Sequence, residues 1–317
     1  MRKLKKSTLL LGLMMILAAS RLEAQTVSLL QEALDELAGS HYASGMSTLL
    51  GNFTWEDTGI GTEFSGYLRQ QAALALTASD YYSLVKSSGP VFNSPEAALL
   101  MGPDERAGAG YLTWGSFRSE GSAIYVDLEV FSFIFNQTVG RKTVKLPLTA
   151  IPPGTRIVPE KAALFYQVDS EVGDLFSGSS LDVHVTTGRG DGGMYSNGEA
   201  LELYILASMD CYIKIFHINS TGTSTTLIFP NQYETNNFLP GGRLLKFPGP
   251  RVPFVFRLTP PFGTEYIKVV AAENPFSDSG QAFQDLGMAT RGLFIEEAQP
   301  QEQGNMAEAR VNFTISP

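Results

Sequence analysis

Three histidines, one cysteine and a few neighbouring carboxylates are the residues from which this chain could build a reactive site. His41, His184 and His217 lie far apart, and none shows the His-x-x-x-His spacing that sets two imidazoles on one helical face for a metal. Cys211 is the only cysteine and sits in the apolar run Cys211-Tyr212-Ile213-Lys214-Ile215-Phe216, which reads as a buried strand. A reactive thiol needs a cationic, open setting, and this run supplies none. Glycoside hydrolysis needs two carboxylates flanking one bond. Glu56 with Asp57 and Glu296 with Glu297 are adjacent pairs, and adjacent residues on a strand point to opposite faces, so they read as solvated charge. Asp182 and Asp210 have no evident partner. There is no Gly-x-Ser-x-Gly elbow and no phosphate loop. Gly188-Arg189-Gly190-Asp191-Gly192-Gly193 contains Arg-Gly-Asp but reads as a flexible loop between strands. Asn52, Asn136, Asn219 and Asn312 open glycosylation tripeptides, which matter only in a eukaryotic secretory pathway. No catalytic residue, metal or cofactor is expected.

Contact surfaces are the remaining chemistry. The loop Trp55, Glu56 and Asp57 through Thr62, together with Trp114 and Phe117 on aromatic strands, forms the candidate interaction surface. Two other readings stay open: a secreted hydrolase using Glu56 or Asp57, and a glycan or small-ligand module using exposed Tyr233 and Phe262.

The elements that must position these residues follow from periodicity. Val27 to Met46 places Leu30, Leu34 and Leu37 at helical spacing, and Glu63 to Ala78 does the same with Phe64, Leu68, Ala72 and Leu76. Strands are expected over Ser47 to Thr54, Tyr81 to Lys86, Gly110 to Phe117, Ala123 to Phe135 and Val139 to Leu148, with a hairpin turn at Ser119 to Ser122. Ile151-Pro152-Pro153-Gly154 ends this part. Beyond Leu164 helical periodicity fades. Short apolar runs then recur at Leu181 to Val185, Ala200 to Ala207, Cys211 to Ile218, Thr225 to Phe229, Arg243 to Phe247, Phe254 to Leu258, Tyr266 to Ala271 and Arg310 to Ile315. The expected fold is an α+β first domain over 25–160, with two helices on a small mixed sheet. A linker over 161–180 follows, then an all-β immunoglobulin-like sandwich over 181–317.

Residues 1–24 carry Arg2, Lys3, Lys5 and Lys6 ahead of an apolar run from Leu9 to Ala19, the pattern of a signal peptide, with cleavage expected after Ala24 and Ala18 to Ala19 as the nearby alternative. The run is shorter than the about 20 residues that span a bilayer, and no later stretch reaches that length. No cysteine follows it, so the acylated cysteine of a bacterial lipoprotein is absent. The formal charge is −9, and loss of residues 1–24 removes five basic and one acidic residue, which takes it to −13. So acidic a chain is repelled by phosphate backbones, and nucleic acid is not an expected partner. The expected setting is the periplasm or the outer membrane's periphery, with other envelope proteins as partners.

Two resemblances add to this. Asn197-Gly198-Glu199, Asp210-Cys211-Tyr212, Asn219-Ser220-Thr221-Gly222, Phe229-Pro230-Asn231, Gly241-Gly242 and Gly263-Thr264-Glu265 occur in an order that resembles the bacterial domain of unknown function forty-three eighty-four. That resemblance implies a β-sandwich module of envelope proteins, proteases or kinases, with no chemistry of its own. Its motif residues also read as fold residues. Pro230 cannot donate to a ladder and ends a strand, Asn231 suits the following turn, and Gly241, Gly242 and Gly263 permit positive φ. In the first domain, Leu49 to Thr54, Gly61 to Leu68, Tyr81 to Val85 and Tyr111 to Phe117 are similar to envelope proteins related to the curli secretion lipoprotein, flagellar outer-membrane proteins and lipoprotein activators of penicillin-binding proteins.

Overall fold

The structure is a computed structural model that describes residues 23–39, 45–86, 90, 93, 95–100, 106–159, 179–219, 225–276 and 304–317. The chain divides into two compact units, each described on its own. The first comprises the described residues within Met1–Glu56, Glu63–Val85 and Ala109–Ile157, and the second those within Asp57–Thr62, Lys86–Gly108 and Val158–Pro317. Residues 1–22 of the expected signal peptide, His41, Glu296, Glu297 and most of the expected linker lie outside the described residues. Among the described residues no helix is long and apolar enough to cross a membrane.

The first unit is α+β. Its five-stranded sheet has the order β2-β1-β3-β4-β5, with β1 Met46–Trp55, β2 Tyr82–Leu84, β3 Tyr111–Glu120, β4 Ala123–Ser132 and β5 Gln137–Pro147. β1 runs parallel to both β2 and β3, while β3, β4 and β5 form an antiparallel meander. Two helices, α1 over 23–39 and α2 Glu63–Ala78, supply Leu30, Leu34, Leu37, Phe64, Leu68 and Leu76 to one core with the sheet. β4 shows why one sheet face takes the helices: Ile124, Val126, Leu128 and Val130 point inward, Tyr125, Asp127 and Glu129 outward. A register shift between Leu50 and Phe53 reverses the parity of β1, so that Leu50, Phe53 and Trp55 all reach the core.

α1 is described over 23–39, residues 40–44 lie outside the described residues, and Met46, expected as the helix's last residue, is not helical. Met46 instead opens β1, where its N–H donates to the carbonyl of Tyr81 and its Cα partner is Tyr82. A strand pairing outweighs one more apolar position at helical spacing. The β3–β4 hairpin closes through Gly121 and Ser122, with Gly121 at φ +60°. β4 is shorter than the expected Ala123 to Phe135: it stops at Ser132 because residues 133–136 form the next turn.

The second unit is almost entirely β. Its strands are β6 Val183–Thr187, β7 Gly193–Ser196, β8 Ala200–Leu201, β9 Leu203–Ala207, β10 Cys211–Ile218, β11 Thr225–Phe229, β12 Phe238–Leu239, β13 Leu245–Phe247, β14 Phe256–Arg257, β15 Gly263–Ala272 and β16 Met306–Ser316. One sheet has the order β11-β10-β15-β16-β7 with β12 also on β10, another is β13-β9-β6, and β14 pairs with β8. Both larger sheets feed one core: Val183, Val185, Leu203 and Ile205 from one, Ile213, Ile215, Val269 and Phe313 from the other. A short helix, α3 Pro95–Leu100, packs near β9, with Leu100 against Leu206. Neither α3 nor β7 was expected from periodicity.

Candidate interaction surfaces

Cys211, Asp210, His184 and His217, singled out for chemistry, are spread over the second unit. Cys211 is fully buried at the start of β10, and burial, then the charge of Asp210, push its thiol up to about 11. Asp210 accepts a hydrogen bond from Gly241 N at 2.8 Å. His217 on β10 has Nε2 2.7 Å from Glu265 Oε2 on β15, with Glu265 almost wholly buried. Sequence spacing did not foretell this pair, since cross-strand register alone sets it. His184 lies half-buried on β6. Among the described residues no group of three His, Cys, Asp or Glu could hold a metal ion.

The Arg-Gly-Asp tripeptide is held within its own unit. Arg189 pairs with Glu199 at 2.7 Å and lies over the Tyr195 ring at 4.8 Å. Asp191 accepts from Thr186 Oγ1 at 2.6 Å, and desolvation pushes its carboxyl up to about 6 against those hydrogen bonds. The loop 188–193 also meets residues 57–62 backbone to backbone. A Cβ on Gly61 would lie 1.7 Å from the carbonyl oxygen of Gly192, so both positions must be glycine. Asn312 Nδ2 and Thr314 Oγ1 of β16 donate to the carbonyls of Thr58 and Gly61 at 3.3 and 3.1 Å.

The candidate contact residues separate. Trp55 and Phe117 stand in the core of the first unit: their rings meet edge to face at 5.8 Å, and Phe117 meets Phe64 at 4.9 Å. Buried rings offer no contact surface, which corrects their assignment. Phe117 and Trp114 are three residues apart on β3, so the period of two puts them on opposite faces. Glu56 is half-buried in a short helical turn at φ +42°, and the side chain of Asp57 lies outside the described residues.

Trp114 faces away from the helices. Three transverse rows cross the sheet there: Trp114, Glu129 and Arg141; Ser116, Asp127 and Thr143; Arg118, Tyr125 and Lys145. Arg141 Nε bonds Glu129 at 3.0 Å, Arg118 bonds Asp127 at 2.5 Å and Glu120 at 2.8 Å, and Thr143 bonds Asp127 at 2.5 Å. Arg118 and Lys145 approach the Tyr125 ring at 5.2 and 5.7 Å. These pairs are partly exposed, so each contributes little to stability. Beyond β4, Ile134 and Phe135 stand 67% and 64% exposed at a turn whose N–H groups donate to Ser132 Oγ.

In the second unit the motif residues build turns. β11 ends at Phe229, directly before Pro230. Asn231 is buried, donates through Nδ2 to the Ile228 carbonyl at 2.9 Å, and accepts from the N–H groups of Tyr233 and Glu234. Gly242 and Gly263 have φ of +69° and +134°, as expected. Gly241 has a different reason to be glycine: a Cβ there would lie 2.5 Å from the Cα of Met209. Residues 194–275 match the family model described as "Domain of unknown function (DUF4384)". The match runs from β7 through β15, while β6 and β16 complete the same core from outside it.

The chain is also similar, at the level of coordinates, to the LpoB C-terminal domain from Salmonella enterica, at 12% identity and TM-score 0.27 over 37% of this chain and 98% of that one. Lipoprotein GNA1162 from Neisseria meningitidis matches at 9% identity and TM-score 0.24, over 42% of this chain and 98% of that one. TolB from Acinetobacter baumannii matches at 8% and 0.22, over 77% of this chain and 50% of that one. At TM-scores this low the likenesses carry no part of the functional argument. No curated protein matches the chain.

Around the DUF4384 motif the surface is aromatic. Phe229, Phe247, Phe256, Phe254 and Tyr233 form a continuous ring chain with centroid separations of 5.1 to 5.5 Å, running from the core to Tyr233, which is 51% exposed. Phe262, the other aromatic named from sequence, is exposed but forms no part of this chain. Phe254 and Phe256 were legible only as an apolar run.

Proposed function

We propose that this is an exported, non-catalytic envelope protein, an adaptor or assembly factor that works through protein–protein contacts in the periplasm or at the outer membrane. The observation that carries it is the face of the first unit's sheet on which the described residues place no helix. There Trp114 and Tyr125 stand among Arg118, Asp127, Glu129 and Arg141, an aromatic-plus-arginine composition of the kind that protein interfaces favour. Export is supported by the basic start and short apolar run of residues 1–24. The same reading takes the second unit as an immunoglobulin-like sandwich that presents a DUF4384 surface, supported by two sheets on one core.

The test is crosslinking and mass spectrometry on the tagged protein in fractionated cells of its source. A reproducible envelope partner that is lost with Trp114→Ala and Tyr125→Ala supports the adaptor. Recovery of the protein alone, under conditions that keep neighbouring complexes intact, refutes it. A second reading, glycan or small-ligand binding, is favoured by the exposed Tyr233 ring backed by Phe254. A glycan array that stays blank removes it.

A further inference from the structure

We infer that β5 is a docking edge that takes an extended, acidic segment of a partner as an added strand. This rests on the adaptor reading and names the partner's chemistry. The sheet has two edges. β2 is three residues long, whereas β5 runs for eleven, and among the described residues β5 pairs with β4 alone. From Ala123↔Pro147 to Val130↔Gly140 the β4–β5 register is unbroken, so the outer edge is a regular row of backbone donors and acceptors. The strand contains no proline before Pro147.

Its charge selects the occupant. Gln137–Pro147 holds Arg141, Lys142 and Lys145 and no acid, a local charge of +3 in a chain of −9. The cations fall on both faces: Arg141 and Lys145 beside the outward rows, Lys142 on the helix side near Glu36. A strand laid against β5 therefore meets a cation on either face, and alternate side chains of either parity gain from being acidic. Arg141 is 71% exposed and Lys142 44% exposed, so their present pairs with Glu129 and Glu36 are exposed and weak enough to be shared. A second copy of this chain is the wrong occupant, because two β5 edges would set +3 against +3. Lysine on an edge also guards against self-association. A purely protective edge and a docking edge differ in whether an acidic strand binds.

The probes are three labelled peptides of about ten residues, matched to the strand. One alternates threonine or valine with glutamate, one carries lysine in place of glutamate, and one is the glutamate peptide N-methylated at every residue, so that neither of its edges can donate. Fluorescence anisotropy with the full chain is expected to show saturable binding of the glutamate peptide and none of the lysine peptide. N-methylation is expected to abolish binding, because it removes donors to the edge while leaving every charge in place. Lys142→Glu with Lys145→Glu is expected to weaken the glutamate peptide about fivefold, the loss of two exposed ion pairs. Circular dichroism confirms that the double variant is folded. Absence of binding, indifference to N-methylation, or unchanged affinity in the double variant overturns the inference. If the envelope crosslinks of the wild type persist while the peptides fail, this inference falls and the adaptor stands. If no crosslinks form at all, the adaptor reading itself falls.

Discussion

Gly61→Ala probes the tightest approach in the second unit. The new methyl would sit 1.7 Å from the Gly192 carbonyl oxygen, 2.6 Å from its carbon and 3.1 Å from its Cα. No side-chain rotation relieves that, since every atom involved is backbone. Either segment 57–62 or loop 188–193 must move by more than an ångström. Forced overpacking of this kind costs about 1–3 kcal/mol. Movement of residues 57–62 also breaks Thr314 Oγ1 to Gly61 O and Asn312 Nδ2 to Thr58 O, at about 1 kcal/mol each. The expected loss is about 3–5 kcal/mol. With a urea m-value of about 2 kcal/mol/M, the midpoint of the second unit falls by about 1.5–2.5 M. Far-UV circular dichroism is the readout, because Trp55 and Trp114 both belong to the first unit and their fluorescence reports that unit. Gly66→Ala is the control. It lies on α2 with nothing within 4 Å of an added Cβ, and should stabilise by about 0.5–1 kcal/mol. A Gly61→Ala midpoint equal to wild type would refute the packing argument.

Two further outcomes follow from the same geometry. Asp191 has its carboxyl raised from 3.8 to about 6 by desolvation, so the folded state holds this proton more tightly than the unfolded one. Its contribution is therefore intact below about pH 4, falls as pH rises to about 6 and is flat above, a loss of at most about 3 kcal/mol. Asp191→Asn keeps an acceptor for Thr186 and should gain on wild type across that window in urea titrations at stepped pH; a pH-independent difference would contradict it. Phe117→Ala should cost about 3–5 kcal/mol, as a fully buried ring among Trp55 and Phe64. Trp114→Ala, half-buried on the opposite face, should cost less in the same thermal melts, and equal losses would reverse the assignment of the two faces.

Periodicity placed several elements closely. α2 Glu63–Ala78, β10 Cys211–Ile218 and β11 Thr225–Phe229 have the bounds that their apolar spacing and flanking turn residues predict. Those signals are local: a helix face or a strand alternation is written in residues a few positions apart. The turn roles of Pro230, Asn231, Gly242 and Gly263 were legible for the same reason, because each depends on its own backbone. What the sequence alone determined is thus an α+β first part, a strand-rich second part and a DUF4384 stretch free of recognisable reactive motifs. Only the tertiary structure decided which candidate aromatics are surface. Trp114 and Phe117 look alike in composition, and the helices that cover one sheet face and not the other distinguish them. The parallel joining of β1 to β3, the seating of β7 on β16, the His217–Glu265 pair and the Gly61–Gly192 contact join residues from tens to more than a hundred positions apart. Such pairings are selected by a shared core and by backbone groups that must find partners, and no window of neighbouring residues contains them. The outer edge of β5, unpaired among the described residues, is of the same kind, since a basic strand is placed at an edge only by where the sheet ends.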